Sequence, residues 1–585
     1  MKNYPLLQKI GEILAAAADR VTAFARKVET FPGKGPEIVV FFVYAAAHLG
    51  MALVHEPFFD EAEAWQIARC VSLRTLFLET THYEGHPPLW HLILMPLAKA
   101  GAPYELSLTL VSLLFMGMTV LLILRYAPFP RLVRLLLPFT YFFFYQYGVI
   151  SRVYCVMTFA FVLLAMAYRR RNEKPGRYVA VLILLCFTQA YGLIIAGGLA
   201  LVWLWEIGQG RMLRAADKRI WWLAVLLAAA LLVIWMIMPR EDTFAMASNA
   251  HETGQNSLAV RLIYMFLVLP ADAVLTDIYC DYAILPRASL PLSALASGVV
   301  VGLLIWCLCL YYGKRKGTVL LLVIPYSLFA LFSAVVYVSI HHIGIGLLHF
   351  CFWCWVSMET DLPESRTERV PLGDRKEGAL DVAWDEPVSR GRIVRCAALL
   401  LGSLAMAVSL FWTGAACVLD IRKNYAPGRN EAAFIKEHHL DRCRMMSGWM
   451  IEYDAEGNVR NTDINECSQA VNLAPYFENN LFFNFNSGKE DRNYITHIRL
   501  SEEETQRQYE NWGKEEPPQV LWMSPDLSAV YGGTVKWQDY VLVYQRDAEQ
   551  VWKAGTDYQA SVIYVRRELL EETGLRPLRG KTENE

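Results

Sequence analysis

Charge is what long stretches of this 585-residue chain do without. No Asp, Glu, Lys or Arg occurs between Leu106 and Leu124 or between Trp221 and Met238, and Ile38 to Val54 is broken only by one histidine. As a helix rising about 1.5 Å per residue, each run covers most or all of a hydrocarbon core of roughly 30 Å. The alternating pattern of a spanning barrel is missing, so helices remain as the form in which these runs can cross a bilayer with their backbone groups satisfied. No internal repeat is present, which counts against a transporter built from inverted repeats. No Asn-X-Ser/Thr sequon occurs, which fits a bacterial source. A net charge of −2 offers no footprint for nucleic acid. The single Cys-x-x-Cys pair, Cys351 and Cys354, lies inside an apolar run, which argues against a zinc ribbon.

What is there is hydrophobic: 55% of residues are apolar and 13% aromatic. The periodicity predicts about eleven spans, near 38–54, 105–124, 133–150, 153–168, 178–190, 192–207, 220–238, 289–312, 318–338, 343–358 and 396–416. The fifth and sixth are short and broken at Gln189-Ala-Tyr-Gly192. Residues 1–36 do not read as a cleavable signal peptide. Lys2, Lys9, Arg20, Arg26 and Lys27 surround an apolar face of Leu6, Leu7, Ile10, Ile13 and Leu14. That pattern fits either a helix on the cytoplasmic membrane surface or a solvated leader.

Positive charge fixes the expected orientation. Arg125, Arg131 and Arg134 follow the second span, Arg169 to Arg171 with Lys174 and Arg177 the fourth, and Arg211, Arg214, Lys218 and Arg219 the sixth. Lys314 to Lys316 follow the eighth, and 359–395 carries seven basic residues from Arg366 to Arg395. These loops alternate with less basic ones, so the N-terminus is expected inside and the C-terminus outside. Loop 359–395 mixes both signs of charge and is expected to be flexible. Residues 37–418 then form the membrane domain, 55–104 its first outer loop, and 419–585 an extracytoplasmic α/β domain. Strands are expected at Val520–Met523, Tyr540–Tyr544 and Val562–Val565, and a helix over Asn430–His438. Cys443 and Cys467 both fall in that domain, where a disulfide is permitted.

Four polar features fall on the expected outer face. Asp60 and Glu61 open the first outer loop. There a partly desolvated carboxylate can act as general base, and Asp60 equally suits the N-cap of the following helix. Tyr83-Glu84-Gly85-His86-Pro87-Pro88 continues that loop, with prolines that halt a helix and a histidine able to meet a phosphate. Ser151-Arg152-Val153-Tyr154 forms a short hairpin after the aromatic run Tyr141–Tyr147. Its arginine either snorkels to the interface or faces a phosphate. His341 and His342 end the ninth span, where they can serve as an interfacial pair or as phosphate ligands.

In this order the four features resemble the GT-C class of lipid-phosphate-dependent glycosyltransferases, and within it the protein O-mannosyltransferases and the lipid A aminoarabinose transferases. Asp60-Glu61 matches the acidic pair of that class, within a run, Asp60 to Arg69, similar to its first loop. Pro87-Pro88-Leu89 matches its later proline element, with His86 where some relatives carry a stronger base. Ser151-Arg152 with Tyr154 matches its serine–arginine element, and His341-His342-Ile343-Gly344 its late histidine–glycine stretch. The match covers about residues 38–420. The resemblance implies a GT-C-type bundle of about eleven transmembrane helices in a bacterial plasma membrane. It implies an inverting transfer of sugar from a polyprenyl-phosphate donor to a hydroxyl of a glycan, lipid or protein acceptor. Asp60 would be the base and Glu61 would orient it. His86, Arg152, Tyr154, His341 and His342 would hold the donor phosphate, so that Asp60, His86 and Arg152 should line one cavity open sideways to lipid. A second acid or an acceptor contact falls to Glu84, Tyr83, Asp272 or Asp277. A divalent metal fits the class, without assigned ligands. The rival reading is a transporter or lipid flippase, although the expected spans hold almost no ionisable residues near their middles.

Overall fold

A computed structural model of the chain describes residues 5–209, 217–241, 243, 257–275, 292–360, 390–447, 450–453, 459–463, 468–483, 502–522, 531–535, 537–553 and 555–578. Cys467, Asp277 and residues 361–389 of the expected cytoplasmic loop lie outside these described residues.

The described chain is mostly helical. An N-terminal helix, α1 (Pro5–Glu29), precedes α2 (Gly35–Val54), α3 (Phe59–Cys70), α4 (Leu89–Lys99) and α5 (Tyr104–Tyr126). Next come α6 (Tyr154–Tyr168), α7 (Pro175–Cys186), α8 (Ala190–Gln209) and α9 (Lys218–Ile237). Then follow α10 (Leu292–Lys316), α11 (Val319–Val335), α12 (Ile343–Glu359) and α13 (Arg390–Lys423). Seven of these are long and apolar enough to cross a membrane: α2, α5, α8, α9, α10, α12 with its leading turn, and α13. That is fewer than the eleven expected. The spans expected near 153–168, 178–190 and 318–338 are helices of 15, 12 and 17 residues.

The span expected at 133–150 is not one helix. It splits into an α-helical piece Arg131–Leu136, a 3-10 turn Leu137–Phe139 and a π-helix Phe142–Val149. Pro138 explains the break, because it donates no N–H and its ring collides with the preceding turn. Helix α4, inside the expected outer loop, was not foreseen. The break expected at Gln189 does occur, between α7 and α8.

Helix α1 packs one small-residue face on α13. Ala15 and Ala18, flanked by Leu14, pack on Cys396, Leu399 and Leu400 of α13. Arg131 locks the turn into α2: its guanidinium donates to the Phe31 and Gly33 carbonyls and pairs with Glu37 at 2.6 Å.

After α13 the chain enters α14 (Gly428–Glu437) and a mixed four-stranded sheet. Its strands are β1 (Met445–Ser447), β4 (Val520–Trp522), β6 (Gly555–Arg566) and β5 (Tyr540–Trp552), in that spatial order. β1 and β4 are parallel and the other neighbours antiparallel. A separate antiparallel pair joins β2 (Met450–Tyr453) and β3 (Val459–Asp463). All the expected strands and the expected helix are present. Glu431 of α14 reaches behind the sheet, where it accepts a hydrogen bond from the Trp522 indole at 2.8 Å.

The hairpin β5–β6 runs back into the helical bundle. At its tip Lys553 has a left-handed backbone (φ 52°) and a fully buried ammonium, which pairs with Asp272 at 2.8 Å. The backbone N–H of Lys553 donates to the Tyr141 hydroxyl at 3.0 Å, and the Trp552 ring packs edge-on against Tyr141.

Candidate functional site

The polar residues of the first outer loop are positioned by what comes before and after them. Helix α2 ends at Val54, an extended stretch follows, and α3 starts with Phe58 as its N-cap. Asp60 is therefore not the N-cap but lies in the first turn of α3. Glu61 takes the capping task, accepting the Phe58 N–H at 3.0 Å. Ala62, Trp65, Ile67 and Ala68 bury the rest of α3 against the core. At the far end of the loop Gly85 (φ 64°) ends the short helix Thr81–Glu84, and Pro88 caps α4. A left-handed backbone suits glycine there because any Cβ would be strained.

Arg152 sits in the hairpin between the π-helix and α6. Its guanidinium pairs with Asp60 Oδ2 at 3.0 Å and lies 5.2 Å above the Tyr154 ring. Tyr154 stacks on Tyr147 at 4.8 Å, and the Tyr147 hydroxyl donates to the His341 carbonyl at 2.7 Å. Burial works against the arginine's charge, but Asp60 together with Tyr154, Glu61 and Tyr425 outweighs it, so its pKa is raised. Asp60 is 38% exposed while Arg152 is 13% exposed, so the carboxylate is the reachable member of the pair.

One cavity of about 1210 Å³ gathers most of the expected site. Its polar end holds Asp60, Tyr83, Glu84, His86, Arg152, His341 and His342. Its other end is apolar, walled by α8, α9 and α11 through Leu193, Leu201, Leu227, Ile234 and Leu331, among others. On α9 the wall runs from Leu223 to Ile237, about 20 Å of helix. Leu201, Leu227, Ile234 and Leu331 are also exposed on the outside of the bundle, so the apolar end opens on its flank.

Three expected site residues stand elsewhere. Glu61 does not line the cavity. Only 1% exposed, it accepts from the Ser151 N–H at 2.6 Å and faces His55 at 3.3 Å, so it ties the Asp60 turn to the Arg152 hairpin. Tyr154 is fully buried and its hydroxyl accepts from Gln189 at 2.9 Å, which makes it a platform under Arg152 rather than a phosphate ligand. Asp272 is fully buried, bonded to Lys553 and to the Tyr264 hydroxyl at 2.8 Å each, and is no part of the cavity.

Sequence reasoning missed other cavity residues. Glu63 and His91 line it, on α3 and α4, as do Gln189 and Tyr191 at the α7–α8 break and His82 at the rim. The His82 ring donates to the Met238 carbonyl at 2.8 Å, which seats this rim on the end of α9. The spacing of Glu63 three residues after Asp60 was a legible sign, since such residues share a helix face. The histidine rings of the late motif lie in a 3-10 turn, Ile340–His342, with centroids 4.2 Å apart. Among the described residues no group of three or more His, Cys, Asp or Glu is placed to hold a metal ion.

Glu56, next to His55, accepts the backbone N–H of Arg429, whose side chain holds Glu105 through two bonds of 2.9 and 2.8 Å. Burial pushes the Glu56 carboxyl up to about 7 against the pull of Arg429. The outer loop and the C-terminal domain thus share a charged joint.

Comparison with known protein families, with curated proteins and with solved structures finds no match to this chain. The resemblance to the GT-C class rests on the short motifs alone.

Proposed function

We propose that this chain is an inverting glycosyltransferase that takes its sugar from a polyprenyl-phosphate donor at the outer face of a bacterial plasma membrane. The observation that carries the reading is the single cavity with two chemistries: Asp60, Arg152 and histidines at one end, an apolar wall open on the flank at the other. A phosphate joined to a long apolar chain has the same two chemistries. The apolar groove takes the chain, and Arg152 takes the phosphate by charge-assisted hydrogen bonds.

In the free protein Arg152 and Asp60 neutralise each other. A donor phosphate competes for Arg152 and releases Asp60 toward the acceptor. The acceptor hydroxyl attacks the anomeric carbon, its proton passes to Asp60, and the bond from that carbon to the phosphate oxygen breaks with inversion. Polyprenyl phosphate leaves with its developing charge held by Arg152, and by His86, His341 and His342 as donors. Glu84, Tyr83 and Glu63 remain for contacts to sugar or acceptor. A glycan, lipid or protein can supply the hydroxyl.

The proposed topology leaves the N-terminus in the cytoplasm and residues 419–585 outside, as the alternation of basic loops suggests.

The test is transfer of labelled sugar from purified polyprenyl-phosphate donors in detergent, wild type against Asp60→Asn. Transfer by the wild type and its loss in a folded mutant support both the class and the base. Equal transfer by both removes Asp60 from the mechanism. Lipid or solute flux in liposomes without any transfer replaces the reading with a transporter.

A further inference from the structure

A histidine outside the cavity wall joins the elements that build its polar end. His55 follows α2 directly and is 2% exposed. Its Nδ1 lies 2.8 Å from Asp420 Oδ2 on α13, and its Nε2 lies 3.3 Å from Glu61 Oε2. The same Asp420 oxygen accepts from the Tyr145 hydroxyl at 2.8 Å. Glu61 goes on to accept the Ser151 N–H at 2.6 Å with its other oxygen. An ionised carboxylate only accepts, so a ring bonded to two of them has to donate from both nitrogens, and only the imidazolium does so.

Resting on the glycosyltransfer reading above, we propose that His55, as an imidazolium between Asp420 and Glu61, is a positioning residue for the site. It holds Glu61 where that carboxylate clamps the Ser151–Arg152 hairpin to the first turn of α3, and so sets Asp60 opposite Arg152. The chain of contacts is continuous: Asp420 to His55, His55 to Glu61, Glu61 to the Ser151 amide, and Arg152 to Asp60 at 3.0 Å. The groups facing His55 agree with its charge. Asp420 comes from α13, Glu61 from α3, Tyr145 from the π-helix behind Asp420, and the Tyr425 ring lies 4.6 Å away. Glu56 adjoins it in the chain. Arg429 donates to the His55 carbonyl at 3.0 Å and is itself paired with Glu105, and Arg152 lies beyond Glu61, paired with Asp60. Burial alone would lower the pKa of His55, but Asp420 and Glu61 override it and hold it up to about 10.

The test uses the full-length protein in detergent: wild type, His55→Gln and Asp420→Asn, each checked for folding by thermal unfolding. Binding of undecaprenyl phosphate, read from tryptophan fluorescence, and sugar transfer are both followed from neutral to strongly alkaline pH. His55→Gln is expected to lower kcat about 100-fold, the loss that a displacement of roughly 1 Å produces at a reacting centre, and to weaken phosphate binding through Arg152. Asp420→Asn leaves the imidazolium one carboxylate, so its alkaline loss of binding is expected at lower pH than in the wild type. That movement separates positioning by charge from mere packing. A folded His55→Gln protein with wild-type binding and kcat overturns the proposal, and so does an unmoved alkaline limb in Asp420→Asn. If the wild type binds undecaprenyl phosphate but transfers nothing, the transfer reading fails while the alkaline limb still decides the role of His55. A wild type that neither binds nor transfers overturns both.

Discussion

Arg152 is the side chain on which the polar end of the cavity turns. It has one carboxylate in front, a stack of two tyrosines beneath and a glutamate holding its hairpin from behind. Arg152→Gln is expected to raise the KM for a polyprenyl-phosphate donor about 10- to 100-fold, corresponding to the roughly 1.5–3 kcal/mol of a hydrogen bond to a charged group. Steady-state kinetics in detergent check this, and an unchanged KM would take the phosphate away from Arg152. Asp60, Arg152, His86 and the late histidines were legible because each is a polar residue in an otherwise apolar setting. Glu61 read as their equal in sequence, yet its neighbour reaches the cavity while it faces the protein, since consecutive helical residues point about 100° apart. Asp272 also read as a candidate acid. Its partner Lys553 lies 281 residues away, and no local pattern announces a pair of that separation.

At the scale of elements the decisive contact is between α12 and the π-helix. A Cβ at Gly344 would stand 2.3 Å from Phe142 and 2.5 Å from the Tyr147 hydroxyl. The glycine of the late histidine–glycine stretch thus has a packing task, letting α12 approach the aromatic floor on which Arg152 rests. Gly344→Ala is expected to cost about 1–3 kcal/mol through overpacking. It should also slow transfer, because the tyrosine it displaces supports Tyr154. Thermal unfolding and activity of the same preparation read both effects, and an alanine variant as stable as the wild type would show that the floor can yield. Helix existence was readable from apolar runs. Helix length was not always, since apolar sequence continues past Val335, where α11 stops, and through Pro138, where the 131–149 stretch breaks. Those ends are set by Pro138, by the break at Gln189 and by tertiary packing.

For the molecule as a whole, His55 and Glu56 make alkaline pH one direction of weakness. A group whose folded pKa is raised gives stability in full below its unfolded pKa, and that stability is lost as pH rises through the folded value. For His55 this window runs from the ordinary 6.5 to about 10, and for Glu56 from 4.5 to about 7. The melting temperature is therefore expected to fall as pH rises above neutral toward 10, and that fall to be absent in His55→Gln. A flat profile above neutral pH would contradict the buried imidazolium. Orientation belongs to this scale too. Reporter fusions ending after Lys316 should be active only in the cytoplasm and those ending after Lys423 only outside, and the reverse pattern would invert the proposed topology. Which residues share the cavity depends on all of this assembly, and that is why His91 stayed unread.

The buried tip of the β5–β6 hairpin bears on how the protein is made. Lys553 fills its place among Tyr141, Trp412 and Asp272, yet it is made well after the helices that receive it. Until the hairpin arrives Asp272 has no ammonium to meet. Closing this joint is therefore a step that the membrane helices cannot take alone, and it waits until the hairpin has returned to them. Chains stopped before residue 540 should remain sensitive to protease in the segment around Asp272, and chains that include the β5–β6 hairpin should be resistant there. Equal resistance in both would mean that the bundle closes without its key.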